Sequence, residues 1–503
     1  MVYLLIFAKE LSLSEMNQLK PWLLNLTVFL VFSCSTRPGI DSLQINQKPA
    51  LNPDYSELTI PYNIAPLNFS ISEKGDNYFV EITGKNGKIL SVFSKDGKIH
   101  FPVGKWKKLL SENKNGTISC QIYIKKVGKW NRYNPFENQI SEIPIDNYLY
   151  YRMLYPGYES WSEICIIRRS LEDFSEETVI NNNTIGQNCV NCHAFNRNNS
   201  SDFMIHIRGS LGGTYFLKEG KLKRYNLKTK EMVNNVVYPR WHPSGKYVAF
   251  SANKVIQQFH SLDEKRIEVS DLNSSLMLYD VEKNEIMEIL PGVKNSTMDT
   301  YPEWSPDGKA LFFCRADSIP GKWDYRAIKY NLYKVSFEAG NHKFGQPELI
   351  YNAAFKRKSV SFPRVSPDGD KLVFTLHNYG CFPIWHREAD LYCFNLKDST
   401  VSEMKLNSEY SDSYHSWSSE GKWMVFSSKR GDGLNTRIYI SLVDEKGQAS
   451  KPFVLPQKDP ELYNRLIRSF NVPELSDADI SFTPGELKKA TSAEAINVKW
   501  SKR

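Results

Sequence analysis

Four stretches of this chain align with one another without gaps, and they restrict its fold more than any other feature. They are Tyr238-Pro-Arg-Trp-His-Pro-Ser-Gly-Lys-Tyr-Val-Ala-Phe-Ser251, Tyr301-Pro-Glu-Trp-Ser-Pro-Asp-Gly-Lys-Ala-Leu-Phe-Phe-Cys314, Phe362-Pro-Arg-Val-Ser-Pro-Asp-Gly-Asp-Lys-Leu-Val-Phe-Thr375 and Tyr414-His-Ser-Trp-Ser-Ser-Glu-Gly-Lys-Trp-Met-Val-Phe-Ser427. Trp241, Trp304, Val365 and Trp417 are equivalent, at spacings of 63, 61 and 52. Self-similarity on this scale marks stacked or radially arranged units. Ser-Pro-Asp-Gly sets a turn, with Pro fixing φ, Asp bonding nearby backbone and Gly taking positive φ. The apolar triplets that follow, such as Val248-Ala-Phe250 and Leu372-Val-Phe374, are too continuous for a half-exposed strand and predict strands buried on both faces. A further strand closes each unit, as in Leu276-Met-Leu-Tyr-Asp280 and Arg437-Ile-Tyr-Ile-Ser441.

These units resemble the WD40-like repeats of TolB-type β-propellers over about residues 230–455. Residues 203–228 read as a degenerate unit without the turn motif. Five units predict five or six blades, giving an all-β chain with a propeller over 201–455. Ahead of it, period-2 stretches such as Tyr78-Phe-Val-Glu-Ile82 and Ile89-Leu-Ser-Val-Phe93, separated by Gly turns, predict an antiparallel β-sandwich over 61–140. Residues 141–200 connect the two as a short irregular or helical segment that carries the Cys189–His193 motif, with one short helix expected at Leu171–Ile180. Residues 456–503 form an extension with a helix at Pro460–Ser469 and a last strand within Ala493–Trp500.

Chemistry is concentrated in that connection, in Cys189-Val190-Asn191-Cys192-His193. With 8 Cys and 9 His in 503 residues, a C-x-x-C-H string arises by chance roughly 0.002 times per chain. Two thiols at this spacing can each add to a vinyl group of one porphyrin, and the following imidazole can ligate the iron, which is the attachment pattern of a c-type haem. A C-x-x-C pair also serves as a redox dithiol, a disulfide or half of a zinc site, although no second C-x-x-C or H-x3-H completes four zinc ligands.

Residues 22–33 are apolar over twelve positions, short of the roughly 20 that a membrane-spanning helix needs. With Lys20 before them they read as an export signal, and Met16 is a second candidate start. Val31-Phe32-Ser33-Cys34 resembles a lipobox, which makes 1–34 a signal segment with Cys34 lipidated and 35–60 a polar tether. A secreted protein cut near Ser33 is the alternative. The net charge of +8 is scattered, so it describes a solvated basic surface and not a nucleic-acid footprint. Of the remaining cysteines, only Cys381 and Cys393 are candidates to pair. Cys120, Cys165 and Cys314 read as buried apolar residues.

Lipobox, β domain, lone C-x-x-C-H and propeller repeats together look like exported bacterial lipoproteins of a TolB-like or cytochrome-c-like type. That resemblance implies one covalent haem c on Cys189 and Cys192, with His193 as proximal iron ligand. It also implies a bacterial envelope location, anchored in the outer membrane and facing the periplasm. The chain departs from small cytochromes c, because β patterning resumes soon after His193 and no helical haem domain is left. The pocket must be borrowed from neighbouring β structure. His206 or Met204 are the first candidates for a sixth ligand, then Met232, His242 and Met153, and an open sixth site would permit small-ligand chemistry. The resulting expectation is electron transfer or redox partnership, with a protein partner on the propeller face. The alternative is a binding or scaffold lipoprotein that contacts proteins or glycans and uses C-x-x-C-H structurally. A hydrolase is disfavoured, since no G-x-S-x-G occurs and Gly209-Ser210-Leu211-Gly212-Gly213 lacks its spacing. No catalytic residue is assigned.

Overall fold

The computed structural model describes residues 37–39, 41–155, 163–232, 234–260, 265, 267–290, 296–318, 324–480 and 482–502. The export signal, the lipobox and Cys34 lie outside them. Among the described residues no helix is long and apolar enough to cross a membrane.

From residue 148 onward the strands form six sheets of four or five strands. Five of them begin with an inner strand, at Cys189–Asn196, Val236–Trp241, Thr297–Trp304, Ser359–Val365 and Asp412–Trp417. The sixth inner strand, Ser469–Ser476, comes from the far end of the chain and adds to Tyr148–Leu154, Cys165–Ser170 and Glu176–Asn181. Each inner strand lies against the next, and Ser469–Ser476 touches both Asp412–Trp417 and Cys189–Asn196. The six sheets therefore close a ring. Serine hydroxyls secure the seam, with Ser416 Oγ donating to the Pro473 carbonyl at 2.7 Å and Ser476 Oγ to that of Asn198 at 2.8 Å.

The repeats fold as their residues require. Ser305 Oγ donates to Asp307 Oδ1 at 2.6 Å, the same carboxylate takes the Lys309 N–H at 3.0 Å, and Gly308 has φ +72°. All four apolar triplets are buried, Val248, Leu311, Leu372 and Met424 completely. The recurring tryptophans act as staples, because the Trp304 and Trp417 indoles donate to the carbonyls of Arg240 and Arg364 on the preceding inner strand, each at 3.2 Å.

Several expectations need correction. The C-x-x-C-H motif lies in an extended inner strand, not in an irregular or helical connection, so the unit expected from Phe203 begins at Cys189. No helix covers 171–180, where a turn leads into the strand Glu176–Asn181. The helix expected at 460–469 shrinks to one turn, Leu462–Arg465, because the following residues are drawn into the closing strand. An unanticipated helix, Pro484–Ser492, starts from a capping box between Thr483 and Glu486. The last strand is two short ones, Ile496–Asn497 and Lys499–Trp500, which join the outer edges of the second and third sheets.

The N-terminal region is a seven-stranded mixed sheet beside a three-stranded one, with the helix Val103–Glu112 packed on it, and not a purely antiparallel sandwich. That helix buries Trp106, Leu109 and Leu110, the i, i+3, i+4 stripe of an amphipathic helix. This core is continuous with the last sheets of the ring through Trp423, Val425, Ile438 and Phe470. The Trp423 indole seals the junction by donating to the Ile143 carbonyl at 3.0 Å.

Candidate functional site

Every inner strand carries the same irregularity. The pairing register slips between Val190 and His193, Val237 and Arg240, Thr300 and Glu303, Ser361 and Arg364, and Ser413 and Ser416. The slip opposite Tyr150 and Arg152 does the same in Ser469–Ser476. Each is a β-bulge in which two residues face one on the partner strand, a device that re-aims side chains. Tyr238, Tyr301, Phe362, Tyr414 and Val472 sit in these bulges with φ between 49° and 56°. Bulky residues in this region cost on the order of 1–3 kcal/mol each and are found where the surrounding fold imposes them.

The bulges put His193, Arg240, Glu303, Arg364, Ser416 and Glu474 at equivalent places around the channel. Arg240 bridges Glu303 at 2.8 Å and Glu474 at 3.0 Å, Arg364 stands 3.4 Å from Glu303, and His193 Nε2 lies 3.7 Å from Glu474 Oε2. This belt separates two cavities. The one bearing on the motif has a volume of about 500 Å3 and is walled by Cys192, His193, His206, Arg152, Arg208 and an aromatic collar. In the collar the Phe362 ring is 5.0 Å from Tyr414 and Tyr238 is 6.4 Å from Phe382.

Asn191 and Cys192 form the bulge that opposes His206, since Val190 pairs with Ile207 and His193 with Ile205. Cys192 and His206 thus face each other across the ladder. His193, consecutive with Cys192 in an extended strand, leaves it on the other face, yet both border the cavity because this strand is the inner edge of its sheet. Cys189 and Cys192 are half-buried free thiols, as all seven cysteines among the described residues are free. The pairing of Cys381 with Cys393 is therefore not formed, and the Cys381 thiol instead donates to Asp271 Oδ2 at 3.0 Å.

Burial pushes the Cys189 thiol above its ordinary value, against the pull of Arg152 and Arg208. Burial also holds His193 at about 3, with Arg152 and Arg240 adding to the effect, and His206 at about 3, with Arg208 adding. Both imidazoles are neutral, the form that ligates metal. Among the described residues neither Nε2 has a hydrogen-bond partner. His206 Nδ1 lies 3.1 Å from Thr214 Oγ1, the kind of contact that fixes a ligating imidazole's tautomer.

The other candidates fall elsewhere. Met204 and Met232 are in the apolar core around Phe216 and Trp241. Met153 packs against the N-terminal core. His242 is engaged by Ser244 Oγ at 2.8 Å and the Gly308 carbonyl at 3.1 Å. Sequence reasoning missed Arg152, Arg208, Glu474 and the belt. A signal for Glu474 exists, because Val472-Pro-Glu-Leu-Ser476 repeats the pattern of Tyr301-Pro-Glu-Trp-Ser305. Among the described residues no three His, Cys, Asp or Glu converge as a metal site made of protein ligands alone.

Buried neutral histidines set an acid response. His193, His206 and His415 are held at about 3 by burial, whereas in an unfolded chain they titrate near 6.5. Below that value the unfolded chain takes up protons that the folded one refuses, so stability falls with pH by about 1.4 kcal/mol per unit for each. Burial pushes Glu303 and Glu474 up to about 7 against the attraction of Arg240. They oppose this trend between pH about 4.5 and 7, where the folded chain keeps protons that the unfolded one has released. Urea midpoints are accordingly expected to drop steeply below pH about 4.5. His415→Gln should flatten that limb by about 1.4 kcal/mol per pH unit, and an unchanged slope would refute the assignment.

No family model matches the chain, and no curated protein matches it. Among solved structures, a puromycin-hydrolysing peptidase from Mycobacterium tuberculosis is similar at 11% identity with a TM-score of 0.34, covering 80% of this chain and 57% of that one. Prolyl oligopeptidase B from Galerina marginata, bound to a 35mer substrate, gives 12% and 0.34, covering 78% and 54%. Oligogalacturonate lyase from Vibrio parahaemolyticus gives 13% and 0.30, covering 67% and 88%. The chain thus spans little more than half the length of the peptidases it resembles.

Proposed function

We propose that this chain is an exported, lipid-anchored six-bladed β-propeller that binds one haem c in its channel and works in electron transfer. One observation carries the reading: Cys192, His193 and His206 border a single cavity, and both imidazoles have a buried Nε2 without a hydrogen-bond partner among the described residues. Cys192, His193 and His206 suit the group by chemistry, while Cys189 packs against the adjoining core beside the cavity and not on its wall. Cys189 and Cys192 would hold it through thioethers, His193 and His206 would offer imidazole nitrogens to its iron, and Arg152 and Arg208 would supply positive charge on the same wall. When bound, haem c supplies a one-electron couple, and two imidazole ligands hold its potential lower than a His/Met pair does.

The protein's own residues do the rest. The aromatic collar of Tyr238, Phe362, Phe382, Trp385 and Tyr414 offers flat apolar walls that exclude water. The Arg240 belt closes the floor and keeps Glu474 paired beside His193. If both imidazoles served as ligands, the group would supply electron transfer and leave no position for a substrate. The channel mouth is the face on which a redox partner would dock. A sharp reduced α-band that survives acid-acetone extraction of protein made with a working haem-attachment system supports this. A colourless product speaks for the scaffold alternative.

A further inference from the structure

One hairpin of the N-terminal sheet has a tip built at odds with its own stability. Its strands, Gly116–Lys126 and Lys129–Tyr133, are joined by Val127 and Gly128, whose φ angles of 50° and 77° are both positive. A two-residue turn of this kind suits Asn-Gly, whereas a β-branched residue in the left-handed region is strained. Val127 nevertheless occupies it, and is 95% exposed. Lys126 and Lys129 stand directly opposite each other, a like-charge pair that costs stability. Lys125 adds a third ammonium, 5.8 Å from the Trp130 ring. An apolar side chain held in water among repelling cations gains nothing inside the fold, and local rules broken together at one place point to a role outside it.

The chain's N-terminal approach lies at the same tip. Leu43–Ile45 pairs in parallel with Asn131–Tyr133, so the residues before Leu43 lead back toward the turn. Arg37, Gly39, Ser42 and Leu43 line a shallow cavity together with Lys129 and Trp130, and Leu43 is 62% exposed. Cys34, read as lipidated, is three positions before Arg37, at most about 11 Å of chain. An acyl anchor there would hold the tip against a bilayer. The charges suit an anionic one. Arg37 is engaged by Glu81, while among the described residues Lys125, Lys126 and Lys129 have aromatic or hydroxyl neighbours and no carboxylate partner. Asp41 is the one carboxylate on the cavity wall, so three lysines less one aspartate leave two positive charges in excess.

We propose that this tip is a membrane-docking surface, in which Lys125, Lys126 and Lys129 meet anionic phospholipid headgroups while Val127 and Trp130 enter the interface between them. It rests on the lipid-anchored part of the proposed function and not on haem. The mature chain with Cys34→Ser, which carries no acyl group, is sedimented with vesicles of phosphatidylcholine alone, or of phosphatidylcholine and phosphatidylglycerol in equal parts. It should bind the anionic vesicles at least about tenfold more tightly than the neutral ones. Lys125→Gln/Lys126→Gln/Lys129→Gln should weaken that binding about tenfold or more. Val127→Asn should weaken it about threefold and fold at least as well as the parent, because Asn suits the turn, so it carries the test if the triple variant does not fold. Mass spectrometry of Cys34 in the unaltered protein reports the anchor separately, so the surface and the anchor can fail independently. Absence of binding to the anionic vesicles, equal binding to both kinds, or parental affinity in the folded variants overturns the proposal and leaves the tip to a protein partner.

Discussion

A chain ended after Arg468 should lose its cooperative unfolding transition, because it lacks the strand that closes the ring. Ser469–Ser476 is the inner strand of the first sheet and is paired along Tyr148–Leu154. Its Phe470 and Leu475 are 3% and 1% exposed, and Phe470 lies 5.0 Å from the Tyr151 ring. Loss of one large buried apolar side chain costs about 2–5 kcal/mol. With the ladder and the Ser416 and Ser427 bonds to Pro473 and Phe470 also gone, the total reaches on the order of 10 kcal/mol, comparable to the whole stability of a domain. A chain ended after Ala478 keeps the strand and loses the capped helix, the two edge strands, and the contacts of Asp479 and Ile480 with Arg168, Ser200 and Tyr150. It should melt earlier but still cooperatively by circular dichroism. If the shorter chain unfolds like the longer one, the ring is not closed by this strand.

The second large effect concerns the motif. Cys189→Ala/Cys192→Ala is expected to abolish covalent pigment, so that the reduced α-band vanishes from the acid-acetone pellet. The fold should persist, because both thiols are half-buried and free, and neither holds a structural bond to another residue's side chain. Each truncation removes one sulfur from a site with room to relax, which places the stability change at the low end, about 1 kcal/mol. Retention of an equal band after extraction would show that these sulfurs do not hold the pigment.

Much of the ring was legible in the sequence because its cues are local. Ser305-Pro-Asp-Gly308 makes its turn from its own side chains, and Leu372-Val-Phe374 is apolar on both faces whatever follows it. What escaped detection is non-local. The first sheet takes three strands from residues 148–181 and one from 469–476, so no window of sequence contains it. Glu474 belongs with Glu303 only once that closure is known.

His206 shows the same limit on a smaller scale. It opposes its bulge as Phe250, Phe313, Phe374 and Phe426 oppose theirs. However, Ile205 lies twelve positions after its partner His193, whereas Ala249 lies nine after Arg240. The gapless alignment therefore missed the unit. Restored to register, the second sheet differs from its neighbours at three adjoining places. Cys192 stands where Pro239, Pro302 and Pro363 stand, His193 takes a belt position, and His206 replaces a core phenylalanine. These substitutions concentrate in one sheet and face one cavity, which is how a repeat scaffold acquires a site without altering its frame.

Two other corrections have simple physical causes. Val103–Glu112 falls inside the span expected as an antiparallel sandwich, where no helix was anticipated, yet Trp106, Leu109 and Leu110 have helical spacing and a face to cover. Leu462–Arg465 carries helical propensity that ends where Phe470 and Leu475 gain more by joining the ring. In the second of these tertiary burial outweighs local preference.

Peptide mass spectrometry of the mature protein, isolated from a host that attaches haem, tests the central claim most directly. The fragment spanning Cys189 to His193 is expected to be heavier by the mass of one haem, on both sulfurs. The same fragment recovered with two free thiols, or with its two sulfurs bonded to each other, would contradict it.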